Sequence, residues 1–366
     1  TTGTYFRLVD GKNCGDKERM FLAGENHYPN VSQQNFEKIP GCPIGYWVSE
    51  KMIEGFNNKI LDNESYVRQG MASGDTSRFV RLWTEIDYKK FYSKCSSFSE
   101  ALILNKKWHP FNKGGSFRKW YGNNDYVISF DNESIKILSA IGNHLPSKEL
   151  YFKRGITWNA ISSTHFCVRE HIAGAIFSNA GMVCIVKNDN QYIFYHGLLN
   201  SKVLSMYLSV ISPTLNYNAG DIKKMPIKIP LNIVEIETRV KQNISTSKQD
   251  WDAHETSWDF QENELVRLGK EQEEGSHRLS DLMDAYHEHW TEQFLQLHAN
   301  EEELNRQFIE IYGLEDELTP DVPPEEITIL QQGEIYIENG QIVWQNDVIV
   351  KQLISYAVGC MLGRYR

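Results

Sequence analysis

Lys107–Asn124 reads KWHPFNKGGSFRKWYGNN, a segment in which positive charges, aromatic rings and glycines are interleaved. It contains four lysines or arginines, five aromatic residues, three glycines and three asparagines. Glycine disfavours a regular helix and lets a backbone approach a partner closely, so the segment predicts an irregular loop. Cations neutralise phosphate groups, and flat rings stack on bases. This composition favours a nucleic-acid surface; the alternative is a packed surface turn whose rings belong to the core.

The formal net charge of −10 hides two regions of opposite sign. Residues 1–234 hold 28 Lys and Arg against 20 Asp and Glu, a balance of +8, whereas residues 235–366 hold 10 against 28, a balance of −18. Such asymmetry is typical of a polyanion-binding module joined to a second region. The alternative is a basic domain that docks on its acidic neighbour.

The hydrophobic pattern predicts an α+β fold in which a β-rich part precedes a mainly helical part with a small β-hairpin. Three-to-four spacing of apolar residues predicts helices at Asp131–His144 and Leu198–Ile211. Short apolar runs bounded by turn residues predict four strands, which are Ile128–Phe130, Ala175–Phe177, Met182–Val186 and Tyr192–Phe194.

From about Glu235, glycine and proline become rare and charged residues dominate. Amphipathic helices are predicted at Ser276–Leu297 and Asn300–Tyr312. Thr319–Glu326 has the composition of a stiff acidic linker.

After this linker, Glu334–Val343 predicts a β-hairpin, because Asn339 and Gly340 provide the two positive φ angles of a type I′ turn. A final helix is predicted from about Asp347. These changes in texture divide the chain into residues 1–69, 70–233, 234–318 and 319–366.

Candidate nucleic-acid contacts are densest in Lys107–Asn124. They comprise cations for phosphates, rings for stacking and an amide for base edges: Lys113, Arg118, Lys119, Trp120, Tyr121 and Asn123.

A second candidate site lies in Gly70–Glu85. Asp75 or one of the two residues after it can cap a helix that begins near Arg78, which places Arg78 and Arg81 about one turn apart. The free N–H groups of such a helix start bind anions. The alternative is an ordinary helix start.

Two polar and aromatic stretches, Gly155–Arg169 and Pro213–Pro226, predict loops that reach into a groove. They contribute the candidate contacts Trp158, Asn159, Asn216 and Tyr217. The alternative for each stretch is an ordinary surface loop.

Motifs for catalysis and metal binding are missing from the sequence. There is no phosphate-binding or dinucleotide-binding glycine loop, no HExxH or GxSxG motif, and no [DNS]PP[YFW] box. The six cysteines form no Cys-x-x-Cys pair, and His165, Cys167 and His171 are interpreted as core residues rather than metal ligands. We therefore expect no catalytic residue and no metal site. A reducing, cytoplasmic location without a membrane partner is also expected.

Several motifs together resemble a known family. The strings GMASGDTSRFVRLW, KWHPFNKGGSFRKWYGNNDYV, GITWNAISSTHFCVR, PTLNYNAGDIKKMPI and ISYAVGCMLGRYR, in this order, resemble the C-terminal half of the PglX family. These proteins are adenine-specific DNA methyltransferases of bacteriophage exclusion (BREX) defence systems. The resemblance runs from about residue 20 to the end of the chain.

The resemblance implies a division of labour. In the family, an N-terminal domain binds S-adenosylmethionine and flips the adenine, and a C-terminal domain recognises the target site. This chain matches only the second part, so it carries no cofactor site of its own, and S-adenosylmethionine is expected in the N-terminal domain. Residues 70–233 are then the DNA target-recognition domain, and residues 1–69 are the connecting segment before it.

The partners expected from this resemblance are duplex DNA, the N-terminal methyltransferase domain, and other BREX proteins or a phage inhibitor. An alternative is a non-catalytic scaffold or specificity subunit that docks on defence partners or on a phage inhibitor that mimics DNA. An independent hydrolase would need a constellation of catalytic residues that the sequence does not reveal.

Overall fold

The computed structural model describes residues 1–141, 144–162, 164–271 and 278–365, in which helices alternate with several small sheets. This confirms the α+β class that the hydrophobic pattern predicts. The division into four domains remains a prediction.

The N-terminal part consists of short elements, and β1 pairs antiparallel with β2. Its helices and strands are β1 (Thr2–Phe6), α1 (Cys14–Leu22), β2 (His27–Ser32), α2 (Gln34–Glu37), α3 (Glu50–Gly55), β3 (Lys59–Ile60), α4 (Leu61–Glu64) and β4 (Ser65–Arg68).

The middle of the chain builds most of two four-stranded sheets. Its elements are α5 (Thr76–Phe79), β5 (Val80–Leu82), α6 (Phe98–Leu104), β6 (Trp108–Asn112), β7 (Tyr126–Ser129), α7 (Asn132–Ala140), β8 (Gly155–Asn159), β9 (Arg169–His171), β10 (Ile176–Phe177), β11 (Gly181–Val186), α8 (Tyr192–Leu199), α9 (Lys202–Ile211), α10 (Ala219–Ile222) and β12 (Pro226–Ile227). One sheet has the order β10-β6-β7-β5 and the other β4-β11-β8-β9, while β12 pairs with β3.

Strand β11 lies between two apolar cores. Side chains of a strand alternate between its faces, so Met182, Cys184 and Val186 pack in the larger core. Val183 and Ile185 point the other way, into a smaller core that also contains Phe130 and Phe177. Because both faces are covered, every residue of β11 is buried, which explains why Met182–Val186 reads as an unbroken apolar run.

The C-terminal part is helical, as predicted. It contains α11 (Val234–Asp252), α12 (Glu264–Glu271), α13 (Leu279–Tyr312), β13 (Ile335–Glu338), β14 (Gln341–Trp344) and α14 (Asn346–Met361). The two amphipathic helices predicted at Ser276–Leu297 and Asn300–Tyr312 form one continuous 34-residue helix, α13, and Ser276 lies outside the described residues. The predicted hairpin is confirmed, with φ angles of 51° at Asn339 and 76° at Gly340.

Two local predictions were wrong. Tyr192–Phe194 is the start of helix α8 and not a strand; seven of the eight residues of α8 are buried, and periodicity alone cannot separate a buried helix from a buried strand. The predicted helix at Leu198–Ile211 is broken at Asn200, and α9 starts after Ser201, whose side chain caps it. Helix α7 lies within the predicted Asp131–His144, of which 142 and 143 lie outside the described residues.

The segment Lys107–Asn124 joins the two halves of the chain. Its first residues form β6, and the residues after the turn run into the acidic helices. Arg118 is buried and donates to the carboxylate of Asp250 in α11 and, at 2.9 Å, to the carbonyl of Tyr121. Lys119 is buried as well, with its ammonium 2.7 Å from Glu301 of α13 and 3.7 Å from Glu326. Both cations are therefore consumed inside the protein.

Glu301 accepts a second hydrogen bond, at 2.7 Å, from the indole N–H of Trp120. Burial by itself would lower the pKa of Lys119, but the charge and hydrogen bond of Glu301, together with the charge of Glu326, outweigh it and raise that pKa. Lys119 thus stays charged in the interior. The charge asymmetry has a second interpretation, a basic region that docks on its acidic neighbour. Arg118 and Lys119 fit this interpretation.

A second buried contact ties the hairpin to α11. His254 shares a hydrogen bond with Glu334, and both side chains are almost fully buried. Although burial opposes a charge on this ring, Glu334 and Asp250 raise the pKa of His254 above its ordinary value. Asp250, Glu301 and Glu334 of the C-terminal part therefore lie against buried basic groups.

We expect Glu301→Gln to lower the free energy of unfolding by about 3 kcal/mol, because it leaves the buried charge of Lys119 without its main partner. Glu310→Gln on the same helix is the matched control. That carboxylate is exposed and lies 3.4 Å from Arg306, so its loss should cost below about 0.5 kcal/mol. Urea denaturation followed by circular dichroism measures both. Equal losses would contradict a structural role for the buried pair.

Three buried histidines predict acid lability. Burial lowers the pKa of His109 to about 4 and those of His171 and His196 to about 3. Since each folded-state pKa lies below that of the unfolded chain, their contribution is complete above pH 6.5 and is lost as the pH falls towards 4. We expect the stability to decrease below pH 6 by up to about 4 kcal/mol per pH unit, as three protons bind on unfolding.

His196→Gln should remove about one proton from that slope, and His27→Gln, at an exposed ring, should leave it unchanged. Urea midpoints between pH 5 and 7 give the slopes. An unchanged slope in the His196 variant would show that this ring is already protonated in the folded protein.

Candidate nucleic-acid interface

The structure buries seven of the twelve candidate contacts, which is a correction to the sequence-based site. Arg118, Lys119, Trp120 and Tyr121 lie in the joint with the acidic helices, and Asn123, Trp158 and Tyr217 are buried beside it. Rings and paired cations of a glycine-rich loop can pack in a protein interior as well as on DNA, and here they pack in the interior. All seven side chains are therefore largely removed from the exposed surface of this structure.

Several of these buried residues hold the surface turns in place. The indole N–H of Trp158 donates to the carbonyl of Tyr217 at 2.8 Å, and the ring of Tyr217 packs edge-on against Phe166. The amide of Asn123 donates to the carbonyl of Ser116 at 2.9 Å. Their function in this structure is to position the turns above them.

Five chain segments meet to form one surface, which we call the loop edge: residues 71–78, 113–117, 159–162, 178–180 and 213–217. Backbone hydrogen bonds join them in sequence, from Asn179 N–H to Met71 at 3.0 Å and from Ala160 N–H to Ala180 at 2.8 Å. Tyr217 N–H continues the series to Ala160 at 2.8 Å. The amide of Asn159 then donates to the Gly115 carbonyl at 2.8 Å.

The turn at Gly114 and Gly115 requires glycine. Both residues have φ between 90° and 155°, at 91° and 153°, where a side chain is strained. A Cβ atom at Gly115 would lie 2.6 Å from the side chain of Asn123. The glycines therefore bring the exposed backbone of this turn close to the rest of the loop edge.

Arg169 supports the loop edge from below, and the sequence analysis missed it. It is almost fully buried, yet its guanidinium donates to amide oxygens rather than to a carboxylate, at 3.1 Å to Asn159 and 3.4 Å to Asn112. Burial, together with the charge of Arg118, lowers the pKa of Arg169 to about 10, so it remains a cation at neutral pH. The only sequence signal was a charged residue directly after the apolar run Phe166–Val168.

Arg78, Arg81 and Lys113 are the candidate cations that stay available. Arg78 is exposed and Arg81 and Lys113 are half-buried, and within the described residues none of the three forms an ion pair with a carboxylate. Lys113 lies 4.6 Å from the ring of Tyr126, and Arg81 donates to the carbonyl of Val80 at 2.7 Å.

The structure corrects the prediction of an anion-binding helix near Arg78. Helix α5 is a single turn capped by Asp75, and Arg81 belongs to strand β5, so the two arginines do not share a helix face. What remains of that prediction is a pair of arginines beside the loop edge.

The tip of the loop edge is polar and apolar rather than charged. Asn216 is exposed, and no hydrogen bond engages its side-chain amide within the described part of the chain. Its backbone pairs with Ile161, whose side chain is 70% exposed, and the adjacent Leu215 is 55% exposed. Amide and aliphatic groups of this kind contact base edges and thymine methyl groups. Asn159 is half-buried and contributes mainly to the turn beneath.

Other kinds of site have no basis in the described residues. Within residues 1–141, 144–162, 164–271 and 278–365, no three His, Cys, Asp or Glu side chains are grouped so that they could hold a metal ion. No described helix has the length and hydropathy needed to cross a membrane.

Comparisons with known proteins give two close relatives. The chain is 34% identical over 383 aligned positions to the adenine-specific methyltransferase PglX of Lacticaseibacillus casei (strain Zhang), with 99% of this chain and 30% of the relative covered. It is 32% identical over 370 positions to the adenine-specific methyltransferase BrxX of Escherichia coli O9:H4 (strain HS), with 99% and 29% covered. No protein-family model matches the chain.

Among solved structures, the chain is similar to the Type IIL restriction-modification enzyme MmeI in complex with DNA. The identity is 13%, the TM-score is 0.37, and 72% of this chain and 34% of that chain are covered. The chain spans about three tenths of the length of the two methyltransferases. Over 99% of its own length, it matches a C-terminal part of the adenine-specific methyltransferases PglX and BrxX.

Proposed function

We propose that this chain recognises duplex DNA as the C-terminal, target-reading part of a site-specific N6-adenine DNA methyltransferase of BREX defence against bacteriophages. The loop edge lies in a groove of the duplex, and Arg78, Arg81 and Lys113 contact phosphates beside it. The observation that carries the proposal is the contrast between these cations, which form no ion pair with a carboxylate among the described residues, and Arg118 and Lys119, which do.

The physical reason is that a cation without a carboxylate partner is available to pair with another anion. This protein has an excess of carboxylates, and two of them, Asp250 and Glu301, neutralise the buried cations Arg118 and Lys119. Cations left without a partner at a surface are available for an external polyanion, where each releases condensed counterions on binding. The tip at Asn216 and Ile161 supplies the amide and aliphatic groups that distinguish base pairs.

Methyl transfer is proposed to occur in the remaining seven tenths of a full-length enzyme. The names of both relatives state an adenine-specific methyltransferase activity, and the methyl donor S-adenosylmethionine and the flipped adenine would be held there. The role left to this chain is to fix the register of the duplex by phosphate contacts and to select the site by groove contacts.

A second candidate function is docking on another protein. Helix α14 carries Ile354, Val358 and Met361 on its surface, and Leu362 directly follows it; Met361 and Leu362 are each 78% exposed. Exposed apolar surface of this extent is typical of a protein contact. The partner would be the methyltransferase domain or another BREX protein. This contact is compatible with DNA binding, and it would stand alone if the chain bound no DNA.

Alanine variants of Arg78, Arg81 and Lys113 should each weaken binding on duplexes of any sequence. Each should also lower the slope of log K against log salt concentration by about one unit, because one phosphate contact is lost. Fluorescence anisotropy with a labelled duplex between 50 and 200 mM salt measures both effects.

Lys351→Ala is the matched control for these variants. Lys351 is an exposed lysine on α14 that already pairs with Asp347 at 2.8 Å, so binding should not change. If the wild-type chain binds no duplex at low salt, or if all three variants bind as it does, the loop edge is not a DNA surface.

Asn216→Ala should relax base preference while leaving nonspecific affinity unchanged. A bidentate amide–adenine contact is worth about 1–3 kcal/mol of discrimination, and Asn216 contributes no charge. Selection from a random duplex library, followed by sequencing, compares the preferred sites of the variant and the wild type. Asn190→Ala, an exposed asparagine away from the loop edge, should keep the wild-type preference. Identical preferences in the Asn216 variant would remove this residue from base reading.

A further inference from the structure

A cavity of about 530 Å³ lies between the N-terminal strands, helix α9 and the 213–217 segment of the loop edge. Aromatic rings form much of its wall, contributed by Tyr46, Trp47, Phe166 and Tyr217. Its volume is in the range of small-molecule sites, which hold a ligand of several hundred cubic ångströms among apolar walls and a few polar groups. The cavity is distinct from the phosphate-binding cations of the proposed DNA surface.

Three lining side chains carry hydrogen-bond donors for which no described residue is the acceptor. The guanidinium of Arg7 lies 4.5 Å from the centre of the Trp47 ring and makes no ion pair within the described residues. Likewise, within the part of the chain that the structure describes, no hydrogen bond engages the indole N–H of Trp47 or the hydroxyl of Tyr217. A cation and two neutral donors beside aromatic rings are suited to a ligand that is flat, accepts hydrogen bonds and carries negative charge.

We propose that this cavity binds a single nucleotide unit, with the base stacked on the rings around Trp47 and the phosphate at Arg7. Every base has a π-face that stacks on an aromatic side chain, and its edge offers acceptors for an indole N–H or a phenol hydroxyl. Guanidinium groups form charge-assisted hydrogen bonds with phosphate. Arg7 keeps its orientation through its contact with Trp47.

The position of the cavity connects it to the proposed function without depending on it. Pro213, Thr214 and Tyr217 line the cavity and belong to the loop edge, so a nucleotide that leaves the stack of a bound duplex reaches the opening over a short path. The same chemistry is met by a free mononucleotide. The two sources share the ring contacts and the phosphate contact and differ only in whether the nucleotide is part of a strand.

The test uses isothermal titration calorimetry on the full 366-residue chain with adenosine monophosphate, thymidine monophosphate and an eight-nucleotide single strand. Trp47→Leu and Arg7→Gln should each weaken binding about 10-fold, through loss of stacking and of the phosphate contact. Tyr217→Phe keeps the ring and should weaken binding about fivefold. Arg68→Gln is the matched control, since that arginine lies over the ring of Tyr66 outside the cavity.

Binding of the mononucleotides that is weakened by the three variants supports the site with a free nucleotide as ligand. Binding of the single strand alone, weakened by the same variants, supports the site with a strand as the source. Absence of binding to every probe, or binding that all three variants leave unchanged, would overturn the proposal. Circular dichroism identifies a variant that fails to fold. If Trp47→Leu does not fold, Arg7→Gln still tests the site, because Arg7 is partly exposed.

This outcome is separable from that of the duplex experiment. Duplex affinity depends on Arg78, Arg81 and Lys113, which do not line the cavity, and Arg7→Gln should leave the salt slope of these cations in place. A chain that binds nucleotides but no duplex would retain the cavity site and lose the proposed DNA surface. A chain that binds duplex but no nucleotide would do the reverse.

Discussion

Arg118 and Lys119 are buried against carboxylates of the acidic helices, and the arrangement of the rest of the chain depends on this pairing. An acid and further hydrogen bonds compensate each of these two cations for the water that it loses on burial. Asp250 and Glu301 supply that compensation, and each accepts a second hydrogen bond, Asp250 from the backbone N–H of Leu330 and Glu301 from the indole of Trp120. The opposite charges of the two halves are thus partly spent on holding them together.

This joint determines which side chains remain for a partner. Because the residues after Gly115 turn inwards to reach the acids, the turn itself and its neighbours in the 71–78, 159–162 and 213–217 segments are left at the surface. Arg169, Asn123 and Trp158 fix these segments from below through hydrogen bonds to side-chain and backbone oxygens. Under the proposed function, these hydrogen bonds reduce the conformational entropy that the surface would lose on binding a duplex. The aromatic cavity beside it is the proposed site for a single nucleotide, a contact that needs no duplex.

Much of the fold was accessible from the sequence where one local rule decided the outcome. Asn339-Gly340 specified a hairpin turn, the apolar spacing of α9 and α13 specified helices, and the run Met182–Val186 specified a buried strand. Prediction failed where burial on all sides removed the pattern, as in α8, and where a capping sequence produced only one helical turn, as in α5. The break between α8 and α9 and the continuity of α13 were equally invisible, because an amphipathic pattern does not mark where a long helix pauses.

The sequence by itself determined the α+β class, the basic first part, the acidic second part and the glycine-rich aromatic segment between charged neighbours. It could not determine which cations face solvent, because charge and aromaticity serve a buried joint and a nucleic-acid surface equally well. Only the tertiary structure separated Arg118 and Lys119, which pair with carboxylates of residues more than 100 positions away, from Arg78, Arg81 and Lys113, which form no ion pair among the described residues. The physical reason is that pairing across such distances in the chain is set by the packing of whole helices and sheets, and no local pattern records it.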